Sequence, residues 1–298
     1  MARAMFQRCL ICTDFSDGLH RLVNFVPELA AGGLEQIVFL SSVPLWEEGG
    51  VPRVDEARVA RTKERLDEAT QNLPAGVDVQ VEVPSGRPVE TILRALEQYD
   101  IDVVLTGTPI RSLLQEKLIG STSMGLVRST KTPITLLRPQ LISTYMREEL
   151  ALRCRNLWHS LLIPYNHSQA ARHSIEQIAN YVRNAAQNSH WLQRCVLCWV
   201  VEDGGRREAL ADSRVQDAQK TLQSVKAELE ALDLQVETQV RRGSPFVQIV
   251  EAASAFDISA IAISTDAQIT LRDLTVPSVA NELLRRSWYP VLTFPRHA

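Results

Sequence analysis

Residues 107–125 read GTPIRSLLQEKLIGSTSMG, and the last third of the stretch holds the residue types that receive a phosphate. Gly120 lets a backbone approach an anion closely. Ser121, Thr122 and Ser123 would open a helix whose first N–H groups are free and whose positive dipole end favours negative charge. Gly107 begins the same stretch. Between them, Arg111 and Lys117 would either add charge beside a polyphosphate or lie on a solvated surface. Pro109 and Ile110, one stiff and one β-branched, sit where a nucleotide loop would want freedom. The Gly-Ser-Thr-Ser run also suits a plain helix cap, because Ser and Thr are preferred at helix starts.

Other side chains with chemical potential have structural readings. Cys9-x-x-Cys12 and Cys195-x-x-Cys198 match the spacing of thiolate metal sites. Both pairs fall in expected strands, where residues three apart point to opposite faces, so core packing is the expectation. The six histidines form no H-E-x-x-H pattern. Asp100 and Asp102 precede an expected strand at its amino end, the wrong edge of a parallel sheet for chemistry. No Walker loop, G-x-G-x-x-G or G-x-S-x-G is present, which leaves P-loop, dehydrogenase and hydrolase readings without support.

The elements that must position the Gly-Ser-Thr-Ser run occur twice. Gly86 and Gly243, Pro88 and Pro245, Ile92 and Ile249, Thr108 and Thr265, and Ser121 and Ser278 all share an offset of 157. Earlier in each half the offset is 152, pairing Leu10, Ile11 and Ser16 with Leu162, Ile163 and Ser168. The second copy thus carries five extra residues between its first and third strands, expected in a loop.

In the first copy, strands RCLICTD, QIVFLSSV, VDVQVEV, IDVVLTG and TPITLLRP alternate with four helical segments. The second copy repeats the order through SLLIPY, CVLCWVV, LQVETQV, ISAIAIS and PVLTF. Such alternation predicts an α/β chain of two doubly wound, five-stranded parallel sheets in tandem, with ligands at the carboxyl ends of the strands. The expected domains are 1–140 and 157–298, joined by a partly helical linker, 141–156.

The length of 298 residues suits two cores. A net charge of −3 gives no electrostatic footprint for nucleic acid. No apolar run approaches a membrane span, and five cysteines in apolar surroundings suit reduced thiols, so a cytoplasmic protein is expected.

With Asp14 closing the first strand, Gly86-x-Pro88 opening the third helix, and IDVVLTGT leading to Gly120-Ser121, the chain resembles the universal stress protein family in its tandem form. The resemblance covers about residues 7–138 and 157–295. It implies the adenine-nucleotide alpha-hydrolase-like fold. In the family's nucleotide-binding branch the loop reads Gly-x-x-Gly, nine residues, then Gly with Ser or Thr. Here Gly107 and Gly120-Ser121 are kept and Ile110 replaces the second glycine. If that glycine serves positive φ, Ile110 costs strain; if it serves only as a small surface, Ile110 packs on a ribose.

The resemblance places Asp14 at the adenosine end and backbone contacts to the base near Val43. It implies ATP, accompanied by Mg, in the first domain. In the second copy Gly107 becomes Ser264, Ile110 becomes Ala267, Gly120 becomes Pro277, Ser123 becomes Ala280 and Asp14 becomes Asn166. Pro277 lacks an N–H, so nucleotide binding by this mode is not expected there.

The leading expectation is a non-catalytic stress-response or regulatory protein whose first domain binds adenine nucleotide, with unidentified protein partners. By resemblance, the last strands of the two domains meet in an intramolecular pseudo-dimer, and a homodimer is open. The alternatives are an interaction module without ligand and, last, a slow ATPase using Asp14.

Overall fold

The structure, a computed structural model, describes residues 5–48, 51–108, 120–144, 146–184, 192–202, 211–266 and 278–296. The chain divides into two compact units, Phe6–Arg155 and Met1–Met5 with Asn156–Ala298.

In the first unit, short apolar runs give β1 (Arg8–Cys12), β2 (Gln36–Leu40), β5 (Asp78–Glu82), β6 (Val103–Gly107) and β7 (Ile134–Leu137). They pair parallel in the order β7-β6-β1-β2-β5. Between β1 and β2 a 3-10 segment, Leu19–Phe25, gives way to α1 (Val26–Ala31) at Pro27, whose missing N–H is harmless at a helix start. A hairpin, β3 (Trp46–Glu48) and β4 (Val51–Arg53), follows β2. Helices α2 (Glu56–Leu66), α3 (Pro88–Gln98) and α4 (Ser121–Ser129) complete the crossovers. Leu10, Val38 and Val104 of the sheet pack with Ile92 of α3 and Leu126 of α4 in one buried cluster. Burial of such side chains at roughly 1.5–3 kcal/mol each drives the layering.

Of residues 141–156, expected as a linker, Asn156 falls in the second unit, while 141–155 are largely helical and fall in the first. Helices α5 (Pro139–Ile142) and α6 (Arg147–Arg155) are tied to it by Arg21 donating to the Ile142 carbonyl at 2.7 Å and Arg147 to the Asn24 carbonyl at 3.3 Å.

The second unit has β8 (Ser160–Pro164), β9 (Arg194–Val201), β10 (Gln235–Arg242), β11 (Ala260–Asp266) and β12 (Val291–Arg296), ordered β10-β9-β8-β11-β12. Its helices are α7 (Gln169–Asn184), α8 (Ala211–Glu230), α9 (Pro245–Ala255) and α10 (Val279–Arg286).

Strand register locates the added residues. Arg8 pairs with Gln36, 28 positions on, and Ser160 with Arg194, 34 positions on. Six residues are added between the first two strands, where the 16-residue α7 replaces the 3-10 segment and short α1, and one is lost between the second and third, where Gln36 pairs with Asp78 and Arg194 with Gln235, for a net five.

The copies share unusual backbone as well as order. Phe15 and His167 have φ of 65° and 61°, and Gly86 and Gly243 have φ of 140° and 122°. The glycines are required there because L side chains rarely adopt that conformation. Each glycine N–H donates back to the end of the second strand, Gly86 to Val43 and Gly243 to Val201.

Asp102 has the expected structural role at the amino end of β6. It accepts from the Gln7 and Arg8 N–H groups at 3.0 and 2.9 Å and from the Arg8 guanidinium at 2.7 Å. All five cysteines are buried and unoxidised. Burial raises their thiols above the ordinary range, Cys195 to about 12 and Cys198 to about 11, so they are packing groups and not nucleophiles.

Candidate functional site

The loop after β1 is shaped by its own side chains. Asp14 Oδ1 accepts from the Ser16 N–H at 2.8 Å and the Ser16 hydroxyl at 2.6 Å, while the Thr13 hydroxyl accepts from the Phe15 N–H at 3.0 Å. These local bonds hold Phe15 in its left-handed conformation. Asn166 repeats the turn in the second unit, accepting from the Ser168 N–H at 3.2 Å.

The turn also buries Asp17. Its Oδ1 accepts from the Thr13 hydroxyl at 2.8 Å and the Leu19 N–H at 2.9 Å. A Cβ on Gly107 would stand 2.5 Å from the Asp17 Cβ and 3.0 Å from its Oδ2. Gly107 is therefore needed as the floor under Asp17, a packing reason independent of any ligand. Burial outweighs the two hydrogen bonds and pushes the Asp17 carboxyl up to about 6.

At the carboxyl ends of β1, β2 and β6 these residues line a cavity of about 180 Å³, open to the start of α4. Asp14, Gly107, Gly120, Ser121, Thr122 and Ser123 are brought together in its wall. Gly120 has ordinary extended backbone, φ −56° and ψ 143°, and the helix it precedes has no side-chain cap. Among the described residues, no side-chain oxygen serves the early N–H groups of α4 at the cavity mouth. Ser123 is spent on packing: buried, it shares a hydrogen bond with the Thr106 hydroxyl at 3.0 Å.

Val43, where the resemblance expects backbone contacts to a base, is not among the residues lining the cavity. Its N–H donates to the Pro84 carbonyl and its carbonyl accepts from the Gly86 N–H, both at 2.9 Å. That edge of the cavity is formed instead by Leu40 and Ser42. Ile110, Arg111 and Lys117, with Ala267 and Pro277 of the second copy, lie outside the described residues. Sequence reasoning passed over Asp17, although an acidic residue before Gly18 in TDFSDG signals a second carboxyl in the same turn.

The second unit has a cavity of about 440 Å³ in the same place, lined by Tyr165, Asn166, Ser264, Ser278 and Ala280 among others. There the helix start is capped: Ser278 Oγ accepts from the Asn281 N–H at 3.1 Å. The Ser174 and Ser264 hydroxyls pair at 2.9 Å.

The model of the universal stress protein family matches the chain twice, over residues 5–138 and 158–295. The chain belongs to the universal stress protein family.

Its two domains stand in tandem, as the repeat indicates. Among solved structures, a universal stress protein from Archaeoglobus fulgidus DSM 4304 superposes with a TM-score of 0.66 at 18% identity, covering 97% of this chain and 98% of the other. A functionally unknown protein from Pseudomonas aeruginosa PAO1 gives 0.58 at 15% identity, covering 98% and 92%. At such identities the likeness shows the shared fold. A comparison with functionally curated proteins returns no match. Within this universal stress protein, the described residues contain no group of three His, Cys, Asp or Glu side chains able to hold a metal, and no helix long and apolar enough to cross a membrane.

The donor set of the first cavity fits a phosphate in part. Backbone N–H groups at an open helix start suit an anion. The buried Asp17 carboxyl beside them opposes one when ionised.

Proposed function

We propose that this universal stress protein is a non-catalytic regulatory protein whose first unit binds an adenine nucleotide, ATP with its Mg, while the second does not bind nucleotide in this way. The observation that supports the reading is the start of α4: no side chain among the described residues caps it, and it opens on a cavity at the carboxyl edge of the sheet. The corresponding start of α10 is capped by Ser278. A helix N-terminus joined to a cavity offers N–H donors and dipole to a phosphate, and Gly120 leaves room for close approach.

Native mass spectrometry of the full chain with ATP and magnesium tests this. The reading expects one nucleotide per chain, abolished by Gly120→Pro, which copies the second unit. No bound nucleotide at millimolar ATP, a free energy weaker than about −4 kcal/mol, would sink it.

A second reading, an interaction module, is favoured by one feature. The loop and hairpin after β2 expose Leu45, Trp46, Val51 and Val54. Equal capture of partners by wild type and Gly120→Pro would favour that reading over nucleotide sensing.

A further inference from the structure

We propose that Asp17 makes phosphate binding in the first unit proton-coupled: the cavity accepts a phosphate-bearing ligand with Asp17 neutral and rejects it with Asp17 ionised. This rests on the nucleotide reading above and adds a regulating group to that site.

Geometry carries the inference. Asp17 is 6% exposed and lines the cavity into which α4 opens. Its Oδ1 is taken by Thr13 and Leu19, while Oδ2 lies over Gly107 in the same wall. An ionised Asp17 is therefore an anion in the wall of the same cavity onto which the start of α4 opens. Two anions in one small cavity repel.

Nothing among the described lining residues offsets that charge. The loop after β1 contributes a second carboxylate, Asp14, and β1 contributes the Cys12 thiol, which burial keeps protonated. The faces of β2, α3, β6 and α4 that line the cavity present no ionisable side chain. On the 3-10 segment, His20 packs against Phe15. The buried Arg138 reaches the hydroxyl of Thr108, one residue beyond Gly107, at 3.5 Å. In the second copy the position of Asp17 is held by Gln169, which accepts from Arg296 at 3.2 Å and cannot titrate.

The carboxyl's rise to about 6 brings its charge change into the physiological range. At pH 7.5 roughly 3% of Asp17 is neutral, so apparent ATP affinity should fall about 30-fold from its value at pH 5.

The test is calorimetric titration of the full chain with ATP and with adenosine between pH 5 and 8, using wild type, Asp17→Asn and Asp17→Gln. Between pH 5 and 7.5, ATP binding to wild type should weaken by about 30-fold more than to Asp17→Asn, whose residual slope reports the ligand's own titration. Adenosine binding should lack that difference. Should the variants misfold, wild type in buffers of different ionisation enthalpy still decides: uptake of close to one proton per ATP at pH 7.5 is expected, and no uptake overturns the proposal.

Parallel pH profiles for wild type and Asp17→Asn, with both binding ATP, would overturn the role of Asp17 and leave the nucleotide reading intact. Affinity that rises with pH only when Mg²⁺ is present would overturn it too, showing the carboxylate to hold the cation. Absence of ATP binding to every form at every pH would end both readings.

Discussion

The hydroxyl of Ser123 stands 3.0 Å from that of Thr106, so the first turn of α4 is pinned to the end of β6 by two buried side chains. Ser123 belongs to the fold more than to a ligand. Replacing it with Ala strands the Thr106 hydroxyl, and urea unfolding of the full chain should show a loss of about 1–2 kcal/mol. Removing both hydroxyls with Thr106→Val and Ser123→Ala should cost less than the sum of the single changes, a non-additivity measured by the double-mutant cycle.

Gly107 is held to its identity by Asp17. In Gly107→Ala the new methyl would meet the Asp17 Cβ at 2.5 Å and its Oδ2 at 3.0 Å. Overpacking of that kind costs about 1–3 kcal/mol. The thermal midpoint should drop, and Asp17→Gly should restore part of the loss when combined with it. A Gly107→Ala protein as stable as wild type would show that the two residues are not in contact.

Gly120 has backbone angles open to any residue, since its φ is −56° and ψ 143°. Aspartate at this position would cap α4 from within, as Ser278 caps α10. Gly120→Asp should stabilise the protein by about 1 kcal/mol and simultaneously weaken ATP binding at least tenfold. Stabilisation without loss of ATP affinity would place the phosphate elsewhere.

Asp17 should also leave a signature on stability in the absence of ligand. Its folded value of about 6 lies above the ordinary 3.8, so the fold holds the proton more tightly than the unfolded chain does. The stabilisation is fully present below about pH 4 and is lost as pH rises through 6, amounting to about 3 kcal/mol in all. Asp17→Asn should flatten this part of the profile and be the more stable protein at pH 7. Denaturation midpoints measured at pH 4.5 and pH 7 for both proteins check it.

Much of this molecule was legible in its sequence because the signals are local. Alternation of short apolar runs with helical spacing fixed the strands, the duplication fixed the tandem order, and Gly86 and Gly243 announced the same turn twice. Even the start of α4 was readable from Gly120-Ser121, since helix termini are set by a few neighbouring residues. The tertiary structure decided whatever depends on residues distant in the chain. It laid Asp17 over Gly107, ninety positions away, and so gave that glycine a packing role. It engaged Val43 with Pro84 and Gly86 through backbone hydrogen bonds. It drew residues 141–155 into the first unit. Sequence spacing carries the chain's own periodicity; the neighbours that bury a carboxyl or occupy an N–H are chosen only when distant segments pack, and that packing sets the charge of the site.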